Sequence, residues 1–231
     1  MPEIQNRKHA MKIYRFDSLP STNEYAKQLQ TEEDAAVIAD EQPAGKGSKG
    51  RSFTSRKGGV YLSLLRIRPC KAKDGFRLME NAALSVVYTL AAFGVNATIK
   101  WPNDVFAEGK KICGILIENV FEGDEIARSV TGIGINVNNE LPPELDDIAT
   151  SVKKLTGKEC DPQAVAATLL YNLGRTYAPQ EYIDRSGILG KEIRVLRGEE
   201  TFLGVCEGFT DDGRLILSGN RIFSAGEVTI R

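Results

Sequence analysis

A short glycine-rich, basic segment is the first place where this sequence could do chemistry. It reads Gly45-Lys46-Gly47-Ser48-Lys49-Gly50-Arg51-Ser52. Glycines let backbone N–H groups approach a ligand closely, and the interleaved lysines and arginine can neutralise a phosphate or a carboxylate. The spacing is one residue from that of a Walker A loop, but the chain runs on into a β-pattern instead of a helix, so a P-loop is excluded. An anion-binding loop and a solvated flexible loop both remain open.

A second candidate is Lys100-Trp101-Pro102-Asn103-Asp104, which contains the only tryptophan of the chain. Pro102 favours an extended conformation at Trp101. Asn103 and Asp104 supply an amide and a carboxylate that could hold a hydrated Mg²⁺ ion on a nucleotide. An ordinary Pro-Asn-Asp turn is the alternative.

Two apolar segments carry polar or glycine positions that a sheet alone does not require. In Lys110–Glu118, Lys111 can present its ammonium group to a desolvated anion, although such lysines more often reach back to water. Gly114 weakens that strand unless a ligand approaches closely. In the segment 132–138 the isoleucines point one way, and Asn136 lies on the opposite side, which could line a ligand. Plain sheet structure accounts for either segment equally well.

The sequence patterns up to Ser186 predict both strands and helices, and these elements must position the candidate residues. After Ser186 the chain consists of short β-type runs. Ser21 and Glu24 have the spacing of a capping box at the start of a helix. We therefore predict an α+β domain over residues 1–186 and a small β-barrel over residues 187–231. The predicted strands of the first domain are 12–17, 35–39, 60–67, 97–101, 112–118 and 126–137, and its longer helices are 75–93 and 163–177. The later runs are 193–196, 201–207, 214–217, 221–223 and 228–230.

Composition excludes several classes of protein. The 30 basic and 31 acidic residues leave a net charge of −1, which excludes a broadly basic nucleic-acid-binding protein. Four cysteines without a CxxC pair, with a single histidine, exclude a tetrahedral zinc site. Residues 81–99 carry no formal charge, but their polar positions predict a core helix and not a membrane span. The N-terminus has no apolar signal core, and free thiols then favour the cytoplasm.

Together these segments resemble the biotin protein ligases, in the family's order and from about Lys12 to Arg231. The resemblance implies a mixed sheet flanked by helices, of the class II synthetase-like type seen in biotin and lipoate ligases, with an SH3-like C-terminal β-barrel. About twenty residues precede Ser21, so we expect the ligase-only form, without the winged helix with which repressor members bind DNA. The resemblance rests on Ser21-Thr22-Asn23, on Gln42 with the loop 45–51, and on the segments 100–104, 111–118, 132–138 and 224–228.

The resemblance implies an enzyme that joins biotin to a lysine of a biotin carboxyl carrier domain, using ATP and Mg²⁺. It also implies that biotinoyl-5′-AMP is the intermediate, and that pyrophosphate leaves in the first step and AMP in the second. A homodimer is the family-level expectation, with no DNA or membrane partner. The implied biotin contacts are Ser21, Thr22, Asn23, Gln42, Lys46, Gly47, Ser48 and Lys111. The implied nucleotide contacts are Lys49, Arg51, Lys100, Trp101, Asn103 and Asn136, and the implied catalytic residues are Lys111, Arg51 and Asp104, with Asp104 also the metal ligand.

The loop departs from the family's pattern. That pattern commonly reads Gly-Arg-Gly-Arg-x-Gly-Arg followed by x-Trp, and this chain has Lys46, Ser48 and Phe53 at three of those positions. Lysine keeps a charge but loses the planar fork of arginine, and serine loses the charge. In an extended loop the neighbouring Lys49 would point away from Ser48, so it need not compensate for the lost charge. We therefore expect the intermediate to be held less tightly than in relatives with arginine at position 48.

Two other functions remain open. A lipoate or octanoate ligase or transferase belongs to the same superfamily, but it would have His-Asp where this chain has Leu62-Ser63. A non-catalytic sensor of biotin or an adenylate is the second alternative, against which the intact Lys111 and Asp104 argue.

Overall fold

The structure is a computed structural model that describes residues 11–225 and 229–230. Its larger sheet contains β1 (Lys12–Phe16), β2 (Ala35–Ala39), β3 (Val60–Arg66), β4 (Cys70–Lys71), β5 (Thr98–Lys100), β6 (Asp104–Ala107), β7 (Lys110–Glu122) and β8 (Glu125–Ile135). The strand order is β1-β2-β3-β8-β7-β6-β5, with β4 paired to β8. The β1–β2 pair is parallel and the other pairs are antiparallel, so the predicted mixed sheet is confirmed.

Helices cover both faces of this sheet. They are α1 (Thr22–Gln28), α2 (Phe76–Ala92), α3 (Val152–Thr156), α4 (Pro162–Leu173) and α5 (Pro179–Asp184). Helix α1 packs on one face against β2, β3 and β8, and α2 and α4 pack together on the other. Leu64 of β3 therefore belongs to one core and Leu65 to the other. Every residue of β3 from Val60 to Leu65 is buried, as expected for a strand that is covered on both faces.

The long uncharged segment forms the core helix α2. Ala82, Val86 and Leu90 are buried along one row, as predicted. Two of its buried hydroxyls are satisfied within the helix: Ser85 Oγ donates a hydrogen bond to the Asn81 carbonyl and Thr89 Oγ1 donates one to the Ser85 carbonyl, each at 2.7 Å. Among the described residues, the helices are all too short or too polar to cross a membrane.

A second, smaller sheet follows. It contains β9 (Glu192–Arg197), β10 (Glu200–Phe209), β11 (Leu215–Leu217), β12 (Arg221–Phe223) and β13 (Thr229–Ile230). The five strands pair in the order β12-β11-β10-β9-β13, all antiparallel. All five predicted runs are strands, although residues 226–228 and 231 lie outside the described residues. The described strands pair as an open path with β12 and β13 at its ends, and not as the closed ring that a barrel implies.

The two sheets share one hydrophobic core. Gly187 N donates to the Ile99 carbonyl at 2.8 Å, and Ile99 N donates to the Arg185 carbonyl at 2.8 Å, so the predicted boundary lies against the edge of β5. Side chains of the small sheet belong to the same buried cluster as those of α2, namely Ile193, Val195, Cys206, Leu215, Leu217 and Phe223. The division into domains at residue 186 stays a prediction.

Candidate active site

A cavity of about 120 Å³, the first cavity, lies where the N-terminus of α1 and the loop 42–59 cover β7 and β8. Its wall brings together residues that are far apart in the sequence. All eight residues predicted to contact biotin line it, namely Ser21, Thr22, Asn23, Gln42, Lys46, Gly47, Ser48 and Lys111.

One end of the first cavity is a network of neutral polar groups. Thr22 donates to Gln42 Oε1 from its backbone N–H at 2.7 Å and from its hydroxyl at 3.0 Å. Ser63 Oγ lies 2.7 Å from Thr22 Oγ1 and 2.5 Å from Asn23 Oδ1. The Gln42 amide nitrogen donates to Ser55 Oγ at 2.9 Å. This end can exchange several hydrogen bonds with a buried polar ligand.

Ser63 was not predicted as a site residue, although the sequence carried a signal. It is the one polar residue within the buried run Val60–Leu65 of β3, and its side chain is 0% exposed. A hydroxyl inside such a run needs a hydrogen-bond partner, and here the partners are the polar residues at the start of α1.

A chain of charged side chains runs from this polar end to the loop. Glu118 Oε2 accepts from Asn23 Nδ2 at 2.8 Å, and Glu118 Oε1 lies 2.5 Å from Lys27 Nζ. Lys27 also contacts Glu24 at 2.9 Å, and Glu24 contacts Lys46 of the loop at 2.7 Å. Hydrogen bonds from Lys46 and then from Lys27 lower the pKa of Glu24. Burial alone would lower the pKa of Lys27, but its bonds to Glu118 and Glu24 raise it.

The capping box predicted for α1 is half formed. Ser21 Oγ accepts from the Glu24 backbone N–H at 3.4 Å, as expected for the cap. The Glu24 carboxylate contacts Lys27 and Lys46 instead of the Ser21 backbone. Two cations close to the first turn compete successfully with a single backbone N–H, because hydrogen bonds between charged groups are the stronger ones.

The glycine-rich loop is folded back on itself. Residues Ser48–Gly50 form a 3₁₀ turn, and Gly47 N donates to the Arg51 carbonyl at 2.7 Å. The Arg51 guanidinium donates to Ser48 Oγ at 2.9 Å and to the Ser48 carbonyl at 3.2 Å. The expectation of an extended loop is therefore wrong at Ser48, because this turn replaces the alternation of an extended chain. The loop presents Arg51 to the cavity, held by the serine that stands where the family commonly has arginine.

Phe53 closes the loop over the sheet. Its ring lies against Gly134, where an added Cβ would be 2.5 Å from the ring, and against Gly114, where it would be 3.2 Å away. The same Cβ at Gly114 would lie 3.2 Å from the end of the Lys111 side chain. The two glycines thus make room for the side chains of Phe53 and Lys111. The sequence led us to expect a ligand close to Gly114, and in the structure these side chains make the close approach.

The opposite end of the first cavity is charged. Lys111 Nζ lies 2.6 Å from Asp104 Oδ1, and the two side chains are 29% and 24% exposed. Asn103, on the turn before β6, is fixed by two bonds to Ile115 of β7: its side chain donates to the Ile115 carbonyl at 2.8 Å, and its own carbonyl accepts from Ile115 N at 2.9 Å. An ammonium group, a carboxylate and an amide are therefore held together at the ends of two neighbouring strands.

A second cavity, of about 680 Å³, opens from this charged end. It shares Ser48, Arg51, Asn103 and Asp104 with the first cavity, so the two form one continuous cleft. Its other walls come from α2 and from the small sheet, which contributes Asp212. The cleft thus has a neutral polar end, a charged junction and a wide outer chamber.

Trp101 ties the junction to the small sheet. It is 3% exposed, lines the second cavity, and donates its indole N–H to the Gly213 carbonyl at 2.8 Å. On the other side of the cis Trp101–Pro102 bond, the Tyr182 hydroxyl donates to the Pro102 carbonyl at 2.9 Å. Helix α5 and the C-terminal sheet therefore both hold the turn that carries Asn103 and Asp104.

The comparisons with known proteins agree with this architecture. Residues 15–136 match the biotin/lipoate A/B protein ligase family, and residues 188–231 match the C-terminal domain of biotin protein ligases. The chain belongs to the biotin/lipoate A/B protein ligase family. The recognition of biotin protein ligases from the sequence is confirmed, as is the class of enzyme, a biotin ligase.

Relatives in this family align over most of the chain. The bifunctional ligase/repressor BirA of Bacillus subtilis strain 168 is 36% identical, over 90% of this chain and 71% of that protein. The biotin–[acetyl-CoA-carboxylase] ligase of Mycobacterium tuberculosis is 33% identical, over 83% and 77%. The biotin protein ligase of Aquifex aeolicus, solved in complex with biotin and ATP, superposes with a TM-score of 0.81 at 28% identity, over 95% and 98%.

The nucleotide contacts predicted from the family fall into two groups. Arg51, Lys100, Trp101 and Asn103 all line the second cavity. Asn136 lines neither cavity: it is 4% exposed, donates to the Thr150 carbonyl at 3.1 Å and accepts from the Asn139 amide at 3.1 Å. Lys49 belongs to the 3₁₀ turn, and its side chain lies outside the described part of the chain. These nucleotide contacts stay predictions.

Among the described residues, the junction of this ligase holds no activated thiol. Cys113, next to Gly114 on β7, is fully buried, and burial raises the pKa of its thiol, so the thiol stays protonated near neutral pH. Within the described ranges there is no cluster of three or more acidic, histidine or cysteine side chains able to hold a metal ion. The junction offers charge and hydrogen bonds rather than acid–base chemistry.

Proposed function

We propose that this chain joins biotin to a lysine of a biotin carboxyl carrier domain in two steps, through biotinoyl-5′-AMP. The observation that carries the proposal is the polarity of the cleft. A neutral polar network lies at one end, and the Lys111 and Arg51 cations lie toward the junction. Biotin has the matching polarity, with a ureido group at one end and a carboxylate at the other.

In the first step a biotin carboxylate oxygen attacks the α-phosphorus of ATP, and the bond to the β-phosphate oxygen breaks, so pyrophosphate leaves. Two anions must approach each other, and the charge on the phosphorus oxygens must be stabilised in place. Lys111 is suited to contact both the carboxylate and the α-phosphate, and Arg51 to contact the triphosphate in the second cavity, together with Lys100. Lys46, Gly47 and Ser48 would contact the valerate chain beneath the loop.

In the second step the neutral amine of the acceptor lysine attacks the acyl carbon of the mixed anhydride. The C–O bond to the phosphate breaks, AMP leaves with the bonding electron pair, and the amine nitrogen gives up a proton to solvent water. The wide outer chamber supports this order of events, because it leaves an approach to the junction once pyrophosphate has gone. The loop over the first cavity would shield the reactive anhydride from water.

The residues at the junction fit a Mg²⁺ ion that enters bound to the triphosphate. Mg²⁺ keeps several waters and often takes one or two protein carboxylates besides the phosphates. Asp104 with Asn103 beside it meets that small demand, and among the described residues a larger carboxylate cluster is absent. Such an ion would neutralise charge on the triphosphate. A homodimer and a cytoplasmic location stay family-level predictions.

Pyrophosphate exchange tests the proposal. The chain is incubated with ATP, Mg²⁺ and labelled pyrophosphate, in parallel with biotin, lipoate or octanoate. Exchange with biotin alone, followed by transfer to a purified biotin carboxyl carrier domain, supports the ligase. Exchange with lipoate or octanoate identifies a ligase for those acids, and no exchange with any of the three acids leaves a non-catalytic sensor, so either result overturns the proposal.

A further inference from the structure

We propose that Glu118 is a positioning residue that fixes the Asn23 amide and thereby sets which hydrogen bonds the polar end of the first cavity offers. The proposal rests on the proposed function, since it concerns the recognition of the ureido group. Glu118 lies on β7, outside the first cavity, and reaches the ligand site through Asn23.

The contacts of the Asn23 amide leave one orientation. Its nitrogen donates to Glu118 Oε2 at 2.8 Å and lies 3.5 Å from the Leu116 carbonyl, and both of these partners only accept. Its oxygen lies 2.5 Å from Ser63 Oγ, which can donate. If the amide flipped, its oxygen would face the Glu118 carboxylate and the Leu116 carbonyl. The carboxylate therefore fixes the amide of this cavity-lining residue with its nitrogen toward Glu118 and its oxygen on the Ser63 side, as an acceptor.

The packing of the amide removes its remaining freedom. A Cβ on Gly132 would overlap the Asn23 side chain, so the amide lies directly on the β8 backbone. Gly132 is paired with Ser63 on one side and with Leu116 on the other. The amide is thus seated across three strands, and its contacts with Ser63 and Leu116 come from the same row of the sheet.

The polarity that Glu118 sets suits the ligand. A ureido group presents two N–H donors and one carbonyl acceptor. The Thr22 hydroxyl donates to Gln42 Oε1, so its oxygen can still accept a hydrogen bond, and Asn23 Oδ1, beside the Ser63 hydroxyl, keeps a second lone pair for another donor. A flipped Asn23 would offer a donor to a ligand N–H and leave both groups unpaired, which is costly in a buried site.

Glu118 also connects this end of the cleft to the loop. Its second oxygen contacts Lys27, which contacts Glu24, which in turn contacts Lys46. These side chains are between about a third and a half exposed, so each pair adds little to stability. Their effect is on geometry, because the contact with Lys27 holds the Glu118 carboxylate beside Asn23.

The test compares Glu118→Ala with Glu122→Ala, an exposed glutamate on the same strand, in the biotin-dependent pyrophosphate exchange assay. We expect Glu118→Ala to raise the KM for biotin about tenfold or more, as for the loss of a charge-assisted contact, with the KM for ATP changed by less than about twofold. Glu118→Gln, which keeps one acceptor oxygen, should lie between wild type and Glu118→Ala. Glu122→Ala should match wild type.

Two further readouts separate positioning from a general loss of structure. Adding Glu118→Ala to Asn23→Ala should raise the KM no further, because Glu118 acts through Asn23. A biotin analogue with ring oxygen in place of one ureido N–H should lose affinity strongly for wild type and weakly for Glu118→Ala. If Glu118→Ala does not fold, Glu118→Gln replaces it in the double-mutant comparison with Asn23→Ala and in the comparison of biotin with its analogue. Additive effects, or equal shifts in both KM values, would overturn the inference, whereas a wild-type chain inactive with biotin would overturn the proposed function instead.

Discussion

Replacing Lys111 by methionine removes the cation at the junction and keeps most of the side-chain volume. Lys111 Nζ lies 2.6 Å from Asp104 Oδ1 in the cleft, where the proposed reaction would bring the biotin carboxylate to the α-phosphate of ATP. Methionine can still pack beside Phe53 and Gly114, which surround the end of the lysine. The perturbation is therefore electrostatic, and the fold should survive it.

The expected magnitudes separate catalysis from stability. Losing one preorganised charge that stabilises a developing anion costs roughly 3 kcal/mol of transition-state stabilisation, or a factor of about a hundred or more in kcat. The ion pair with Asp104 is partly exposed to water, so its loss should change the free energy of unfolding by about 1 kcal/mol or less. A large fall in activity with a nearly unchanged Tm is the predicted signature.

The assay is biotin-dependent pyrophosphate exchange at saturating biotin and ATP, with thermal unfolding measured on the same samples. Lys110→Met is the matched control, because the adjacent lysine contacts the Asp146 carbonyl at 2.5 Å, outside both cavities. It should keep wild-type exchange. If Lys111→Met stays within about threefold of wild type at saturation, the assignment of Lys111 to the transition state is refuted.

Three further predictions concern the loop and the junction. Ser48→Arg should slow dissociation of preformed biotinoyl-AMP about tenfold, and equal off-rates would contradict this and mean that another cation, Lys49 or Arg51, closes the loop. Gly134→Ala should displace the Phe53 ring and raise the KM for biotin about tenfold, and an unchanged KM would mean that the ring does not close the cavity. Trp101→Phe removes a buried hydrogen bond to the small sheet, so Tm should fall by about 2–8 °C; an unchanged Tm would contradict this role.

The fold was predictable wherever local pattern and tertiary packing agree. Helix α2 was predicted from the uncharged segment 81–99, and the strands of the small sheet were predicted from the short β-type runs after residue 186. Short elements such as β6 and α5 were missed, because four or six residues carry little periodicity. Tyr182 shows what fixes α5: its ring packs against Phe76 and its hydroxyl bonds Pro102, contacts that no local pattern records.

The candidate site was predictable where contiguous segments line the cleft, as with Ser21, Thr22 and Asn23. It was not predictable where a role depends on distant partners. Glu118 was visible at the end of its segment, but its contact with Asn23 spans 95 positions of the chain. The alternation expected in 132–138 likewise cannot reveal that Thr150 and Asn139 already use the polar atoms of Asn136.

The pairing of Lys111 with Asp104 links two roles that the sequence treated separately. One residue was expected to contact the substrate anions and the other a metal ion, and in the structure each is the other's counterion. A triphosphate entering with its metal ion offers the lysine an anion and the carboxylate a cation, so both partners can be exchanged without leaving a charge unpaired in a half-buried cleft. An unpaired Lys111 would attract any small anion, and an unpaired Asp104 would repel the triphosphate. The ion pair therefore balances the charges of Lys111 and Asp104 until the triphosphate replaces Asp104 beside the lysine and the metal ion replaces Lys111 beside the carboxylate.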